Sequence, residues 1–272
     1  MTAILRDLVT YRELMLTLAW KNIAVRYKQA YLGIAWAVLK PLTLMLIFVL
    51  LRAFIGIDSG EVPYPVLAYA ALLPWMLFQE STTDGVNSIV ANSHLIRKIY
   101  FPRVIFPLTS VLTKLIEFAI NFAILLAMMA VYGIWPSAYA LWAPLLMLYT
   151  VLVALTIALV GAAVNVYYRD VGSGMPILTT VLMYASPVIY PLTVVREKLL
   201  VEQAAGQWSD ILYFIYTLNP LAGIIDAFQR VLLKGMPPDP VAMLPGLLLT
   251  AVSLPFCYLI FKRAETYFAD VI

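Results

Sequence analysis

Glu80, Asp84, Lys114 and Glu117 fall within or at the ends of apolar stretches, where charge is costly. Glu80 and Asp84 are four residues apart, and Lys114 and Glu117 three apart, so each pair shares one face of a helix. Two chemistries fit such a set. The carboxylates can hand a proton along a relay, or they can pair with Lys114 and with basic groups in the aqueous phase. Spacing alone leaves both open. Proton- or ion-coupled transport needs an ionisable or broken-helix site at mid-membrane. The later apolar runs offer none: 118–168, 171–195 and 240–261 contain no Asp, Glu, Lys or Arg. The same absence argues against an intramembrane hydrolase.

Other reactive patterns are missing. No Gly-rich loop is followed by Lys-Ser or Lys-Thr, so the chain is not expected to hydrolyse ATP itself. There is no nucleophile elbow and no pair of histidines. The one histidine, His94, lies in a basic segment, and the one cysteine, Cys257, lies deep in the last apolar run. Neither belongs to a metal-ligand spacing, so no metal or other cofactor is expected in this chain. A net charge of +3 is mild, and no nucleic-acid partner is expected. What the apolar stretches do offer is rings and hydroxyls. Tyr and Trp side chains can stack on the apolar face of a sugar while their polar tips bond its hydroxyls, or can simply fill a core. Trp36, Tyr69, Trp75, Phe78, Tyr184 and Tyr190 are the candidate lining of such a path; Phe48 and Tyr149 lie nearby.

The elements that must position these residues are membrane helices. Of the 272 residues, 63% are apolar and only 12% charged, too few for the charged shell of a soluble domain of this size. The uncharged runs are long enough to cross a hydrocarbon layer about 30 Å thick. The fold class expected is an all-α polytopic membrane protein with six spans, at 34–54, 66–86, 104–131, 141–166, 175–190 and 241–261. Residues 1–31 carry Leu8, Tyr11, Met15 and Leu18 on one helical face, with Arg6, Glu13, Lys21 and Lys28 on another. They read as an amphipathic cytoplasmic helix lying in the membrane interface, or packed on a neighbour; the span that follows at once favours the interface. They do not read as a removable signal peptide. The second span turns polar from Gln79, so that end must face protein, a cavity or water. Ala158 and Ala162 form a small-xxx-small pair that permits close helix approach. The fifth span is expected to break at Pro187 and Pro191. Residues 192–239 hold two amphipathic stretches, 211–218 and 221–233, separated by Asn219-Pro220. Each is too short or too charged to span comfortably, so both are expected to dip into the membrane shielded by protein.

Basic residues set the orientation. Arg6, Arg12, Lys21, Arg26 and Lys28, then Arg97, Lys98 and Arg103, then Arg169, then Lys262 and Arg263 all fall on one side. The loops 56–65 and 132–140 on the other side have no Lys or Arg. Both termini are therefore expected inside. Trp75, Trp135, Trp142 and Trp208 are placed near the interfaces, where indole is favoured.

The segment Arg26-Tyr27-Lys28-Gln29-Ala30-Tyr31-Leu32-Gly33-Ile34-Ala35-Trp36, closed by Pro41, resembles the approach to the first span in the transmembrane subunits of type-2 ABC exporters for polysaccharides: O-antigen, capsule or teichoic acid. The likeness continues in order through Leu73-Pro74-Trp75, Phe78, Ser88 to Asn92 and Leu95-Ile96-Arg97-Lys98-Ile99-Tyr100-Phe101-Pro102. It resumes at Asn165-Val166-Tyr167-Tyr168-Arg169-Asp170, Ser186-Pro187-Val188-Ile189-Tyr190 and Leu218-Asn219-Pro220-Leu221. No single motif is strong; the ordered set is specific to the polysaccharide branch.

The resemblance implies a homodimer with two copies of a separate ATP-binding-cassette subunit. ATP and magnesium would be bound by that partner. It implies a bacterial cytoplasmic membrane, surrounding lipids, and a lipid-linked polysaccharide as cargo. It makes 87–103 a cytoplasmic coupling region, with Asn92, Ser93, His94, Leu95, Ile96, Arg97 and Lys98 in the docking helix and Asn92-Ser93 capping its start. It puts Arg26, Tyr27, Lys28, Leu32 and Gly33 at the junction of interface helix and first span, and gives 192–239, with Asn219 and Pro220, to an outer gate. An exporter of small molecules or lipids on the same fold is the nearer alternative. An autonomous channel or secondary transporter is the more distant one.

Overall fold

The computed structural model describes residues 10–27, 33, 35–56, 62–96, 101–202 and 209–271. Every regular element among them is helical. At the centre is α3 (Tyr64–Ala91), preceded by α1 (Arg12–Tyr27) and α2 (Ala35–Ile55). Tyr69, Ala70, Ala71, Leu72 and Trp75 of α3 have no exposed surface. Around it pack α2, α5 (Ile105–Val131), α6 (Ala143–Tyr167), α7 (Asp170–Tyr184) and α10 (Pro220–Gln229). Small residues let α3 and α6 approach. A Cβ on Gly85 would lie 2.6 Å from Ala158 Cβ, and one on Gly161 would lie 2.5 Å from Val86 Cγ2. Ala158 and Ala162, the pair singled out by spacing, are both fully buried at this crossing.

Helix starts follow their punctuation. Proline occupies the first turn of α3, α6 and α10, and of the last long helix α11 (Pro240–Glu265), where the missing N–H costs nothing. Asn219 and Asp239 accept from the N–H of Leu221 and Val241 and cap α10 and α11. Short elements complete the chain: α4 (Ser93–Ile96), a 3-10 turn at Ala138–Trp142, α8 (Leu192–Arg196) running into a π turn, α9 (Ser209–Thr217), a π turn at Arg230–Lys234 after α10, and α12 (Phe268–Val271). Gly235 ends the second π turn at φ 61°, a conformation that favours glycine.

Among the described residues, four stretches are long and apolar enough to cross a membrane: Ala35–Phe54, Ile105–Val131, Ala138–Tyr167 and Pro240–Glu265. The pair Asp210–Thr217 and Pro220–Lys234, bent by 84°, passes the same test jointly and raises the number to five. This is a multi-pass membrane protein. The other two stretches expected to span are helical but of different character. α3 has 28 residues but carries Gln79, Glu80 and Asp84 in its second half. α7 has 15 residues, about 22 Å of helix, less than the hydrocarbon thickness. It ends at Tyr184, earlier than the break expected at Pro187, with Ala185 closing the last turn through its N–H.

Two main apolar cores form among the described residues, beside a small third one at Leu192, Tyr213 and Ala242. The larger surrounds α3 and α10, and α10 is buried from Leu221 to Gln229. The smaller gathers Met15 and Leu18 of α1 with Ile96, Phe101, Phe106, Phe261 and Phe268. The face of α1 that carries Met15 and Leu18 therefore packs on protein, while Leu16 and Trp20 stay exposed on the other side.

Candidate functional site

Lys114 is 2% exposed and sits about 14 Å along α5 from its first residue. Its Nζ lies 2.7 Å from Glu80 Oε2, 3.0 Å from Asp84 Oδ2 and 3.5 Å from Glu117 Oε1. An ammonium has three N–H donors, and three carboxylates stand around this one. Lys40 of α2 reaches the other oxygen of Glu80 at 3.3 Å. α2, α3 and α5 are thus stitched by five charged groups, three carboxylates against two ammonium ions. Each carboxylate has Lys114 as a partner, which is the ion-pairing reading of the four residues. Taking charge out of water is repaid only when partners and geometry are good. Asn121 adds a neutral stitch beside it: its amide donates to Ala37 O at 3.1 Å and Glu117 O at 3.0 Å, and its Oδ1 accepts from Tyr69 OH at 3.1 Å.

Beside a small cavity of about 20 Å³ lined by Glu80, Lys114 and Glu117, two larger clefts among the described residues open on this cluster. One, about 530 Å³, lies between α2, α3 and α7 and is lined by Trp36, Lys40, Thr43, Gln79, Thr83 and Asp84 among others. The other, about 440 Å³, lies between α1, α3 and α5 and is lined by Lys21, Asn22, Asp84, Asn87, Ser88 and Asn92 among others. Asp84 belongs to both. Sequence reasoning noted Glu80, Asp84, Lys114 and Glu117 but left Lys40, Gln79, Thr83 and Asn87 out of the site. The available signal was the i, i+4 step from Gln79 to Thr83 to Asn87, which continues the charged face of α3.

The aromatic residues separate. Trp36 is 49% exposed at the first cleft and Tyr184 is 60% exposed at the end of α7. Tyr190 is half-buried and its OH donates to Tyr184 O at 2.9 Å. Tyr69, Trp75 and Phe78 are instead enclosed by their own subunit, at most 1% exposed. Trp75 Nε1 donates to Gln79 Oε1 at 3.0 Å. These three rings therefore cannot stack on a cargo in this conformation, and Trp75 is a core residue rather than an interfacial one. Helix rotation decided the matter. Trp135 and Trp142 are exposed, as expected of interfacial indoles, while Trp208 lies outside the described residues.

In the 87–103 region, α3 runs on to Ala91, and a turn at Asn92 leads into α4, with Ile96 buried and His94 exposed. The side chain of Asn92 donates back to Ser88 O at 2.8 Å, so it closes α3 rather than capping the start of α4. Ser93 and Leu95 are partly exposed. Arg97 and Lys98 lie outside the described residues, as do Lys28 and Leu32; Arg26 and Tyr27 are described as backbone at the end of α1, and Gly33 is a turn residue at φ 46°. Asn219, besides capping α10, donates to Ser186 Oγ at 2.8 Å, and Pro220 opens the helix. Two of the recognised motifs are therefore tied to each other. Among the described residues no group of His, Cys, Asp and Glu could hold a metal ion.

The chain resembles curated proteins along its whole length. It is 28% identical over 273 residues to an O-antigen export system permease protein of Myxococcus xanthus, covering 100% of both chains. It is 27% identical over 265 residues to an O-antigen export system permease protein of Klebsiella pneumoniae, covering 96% of this chain and 95% of the relative. The family model described as ABC-2 type transporter matches residues 13–233, from α1 through the π turn after α10. By that match, which takes in α2, α3 and α5 with their ion pairs, the chain belongs to the ABC-2 type transporter family.

Proposed function

We propose that this chain is the membrane subunit of an ATP-driven exporter of lipid-linked O-antigen polysaccharide. It works as a homodimer with two separate ATP-binding subunits that hold ATP and magnesium. The observation that carries the reading is the end-to-end likeness to two O-antigen export permeases. A cleft that sets charged, amide and hydroxyl side chains beside a half-exposed indole supports it. The proposed topology has six crossings, formed by α2, α3, α5, α6, α7 and α11, in the cytoplasmic membrane with both termini inside. Its support is the basic bias of one set of helix ends and the alternation of the helices. The segment α8 to the second π turn then lies on the outer side, with α10 sunk into the protein and acting as a gate.

In this mechanism, ATP binding closes the partner subunits, and the region around α4 carries the movement into the bundle as a rigid-body shift. A path opens between the two copies, and the glycan moves outward past Trp36 and Tyr184. The test is co-expression with a candidate ATP-binding subunit, purification of the complex, and reconstitution in liposomes. Hydrolysis stimulated by lipid-linked glycan, with movement of that glycan, is the expected result. Flux without any ATP-binding subunit would overturn the proposal.

A further inference from the structure

The two clefts that share Asp84 carry charges and polar groups that discriminate between kinds of cargo. The first has Lys40 and Asp84 as its exposed charges, with side chains 53% and 38% exposed, and Glu80 and Lys114 deeper at 19% and 2%. Lys40 and Glu80 are paired with each other, and Asp84 is paired with Lys114. Around them stand Gln79, Thr43 and Thr83, with the half-exposed indole of Trp36 at the margin. The second cleft repeats this chemistry in amides and hydroxyls: Asn22, Asn87, Ser88, Asn92, Ser110 and Thr113, with one lysine, Lys21.

We propose that these clefts form one binding groove, with Asp84 at the junction, for an uncharged, hydroxyl-rich chain rather than a polyanionic polymer. The inference rests on the export reading only for the premise that a glycan is carried. The groove itself supplies the discrimination. Carboxylates and amide oxygens accept from sugar hydroxyls, and the ammonium and amide N–H groups donate to them. The indole gives the apolar face of a sugar ring a surface to stack on. With Glu117, which shares Lys114, the three carboxylates Glu80, Asp84 and Glu117 balance the three ammonium groups of Lys21, Lys40 and Lys114, so a polyphosphate or polyuronate chain finds no net positive charge there. Each lysine of the first cleft already faces a carboxylate, and like charges brought face to face oppose binding strongly. An anion would have to break the Lys40–Glu80 pair and lie against Asp84.

The inference also places the entrance. The second cleft is framed by Lys21 and Asn22 of α1 and by the end of α3, so the groove starts at the helix ends where basic residues gather. It then passes Asp84 to reach Trp36. A chain threading this way exchanges hydrogen bonds with water for hydrogen bonds with fixed groups, while the buried ammonium of Lys114 keeps the three carboxylates in place.

The full-length protein in lipid nanodiscs is titrated with two soluble probes of similar length, maltoheptaose and an oligomer of glycerol phosphate, with binding followed by calorimetry. Maltoheptaose is expected to bind at least about tenfold more tightly than the phosphate oligomer. Trp36→Ala, a change at a half-exposed site, is expected to weaken it about three- to tenfold with the bundle intact. Asp84→Lys is expected to reverse the preference; if that variant is unstable, Thr83→Arg on the same cleft wall serves instead. Equal or tighter binding of the phosphate oligomer to the unaltered protein would overturn the inference and leave the export reading standing. Binding of maltoheptaose unaffected by both Trp36→Ala and the charge variants would remove the groove as its site. If no lipid-linked glycan stimulates the ATP-driven complex, the export reading fails, whatever the nanodisc titration returns.

Discussion

The side-chain oxygen of Asn165, near the end of α6, accepts the backbone N–H of Gly172 on α7 at 2.8 Å. The same amide donates to Val86 O at 3.2 Å and to Asn87 Oδ1 at 3.3 Å on α3. One buried side chain thus joins three helices at the sharp connection through Tyr168 and Arg169. Gly172 is required for closeness: a Cβ there would overlap Asn87 Oδ1 and crowd the Asn165 amide. Its φ is not in the left-handed region. Gly172→Ala is expected to destabilise the protein by about 1–3 kcal/mol, the usual range for overpacking. Gly174→Ala, where added bulk meets open space, should have little effect. Thermal unfolding in detergent, followed by size-exclusion chromatography, compares the two.

The Lys114 cluster predicts a non-additive series. Lys114→Met leaves Glu80, Asp84 and Glu117 without their shared cation and should cost about 3–5 kcal/mol, the penalty for breaking a buried pair from one side. Adding Glu80→Gln and Glu117→Gln to that variant removes two of the three carboxylate charges that Lys114 balances and should recover much of the loss. Simple addition of the separate effects would show that the groups are not coupled.

How much of this was legible beforehand differs by feature. The helices were, because long uncharged runs admit few other structures. The pairing of Lys114 with Glu117 was also legible, since three residues along a helix fixes their distance. That Lys40 shares Glu80, and that Asp84 faces two clefts, requires the packing of α2 against α3, which no local pattern encodes. Tyr69, Trp75 and Phe78 were misjudged for a related reason. In an apolar bundle all faces of a helix carry similar residues, so rotation about its axis is invisible to hydropathy. Asn165 was visible as part of a motif, but its role depends on the turn into α7, whose backbone it bonds.

Asn219 makes two contacts that can be separated by substitution. Its Oδ1 caps α10 through Leu221 N at 3.1 Å, and its Nδ2 donates to Ser186 Oγ at 2.8 Å. Asn219→Asp keeps the acceptor and removes the donor; Asn219→Ala removes both. Loss of a cap costs about 1 kcal/mol. Asn219→Ala should therefore lower the melting temperature more than Asn219→Asp. If the tie to Ser186 matters for gating, both variants will slow glycan export in reconstituted liposomes by a similar factor. Export that tracks stability alone would confine Asn219 to a structural role.

The start of α5 is fastened to the end of α11. The backbone N–H of Arg103 donates to Glu265 Oε1 at 2.5 Å, its guanidinium donates to Glu265 O, and Lys262 pairs with the same carboxylate at 2.8 Å. Phe101 packs on Phe106 and Phe261 on Phe268 in the same core. This joint follows in sequence residues 92–98, which the export reading assigns to contact with the ATP-binding subunit. A push delivered there would meet Arg103 before it met the rest of α5, and the carboxylate of Glu265 would pass part of it to α11. Glu265→Gln keeps the backbone acceptor and the shape but weakens the charge-assisted bonds to Arg103 and Lys262. The expected result is an unchanged basal ATP hydrolysis rate in the purified complex, with stimulation by lipid-linked glycan reduced several-fold. Arg97→Glu or Lys98→Glu should act one step earlier, abolishing stimulation while membrane insertion is preserved. Undiminished stimulation in Glu265→Gln, alongside its loss in Arg97→Glu, would confine the transmitted movement to α3 and α5.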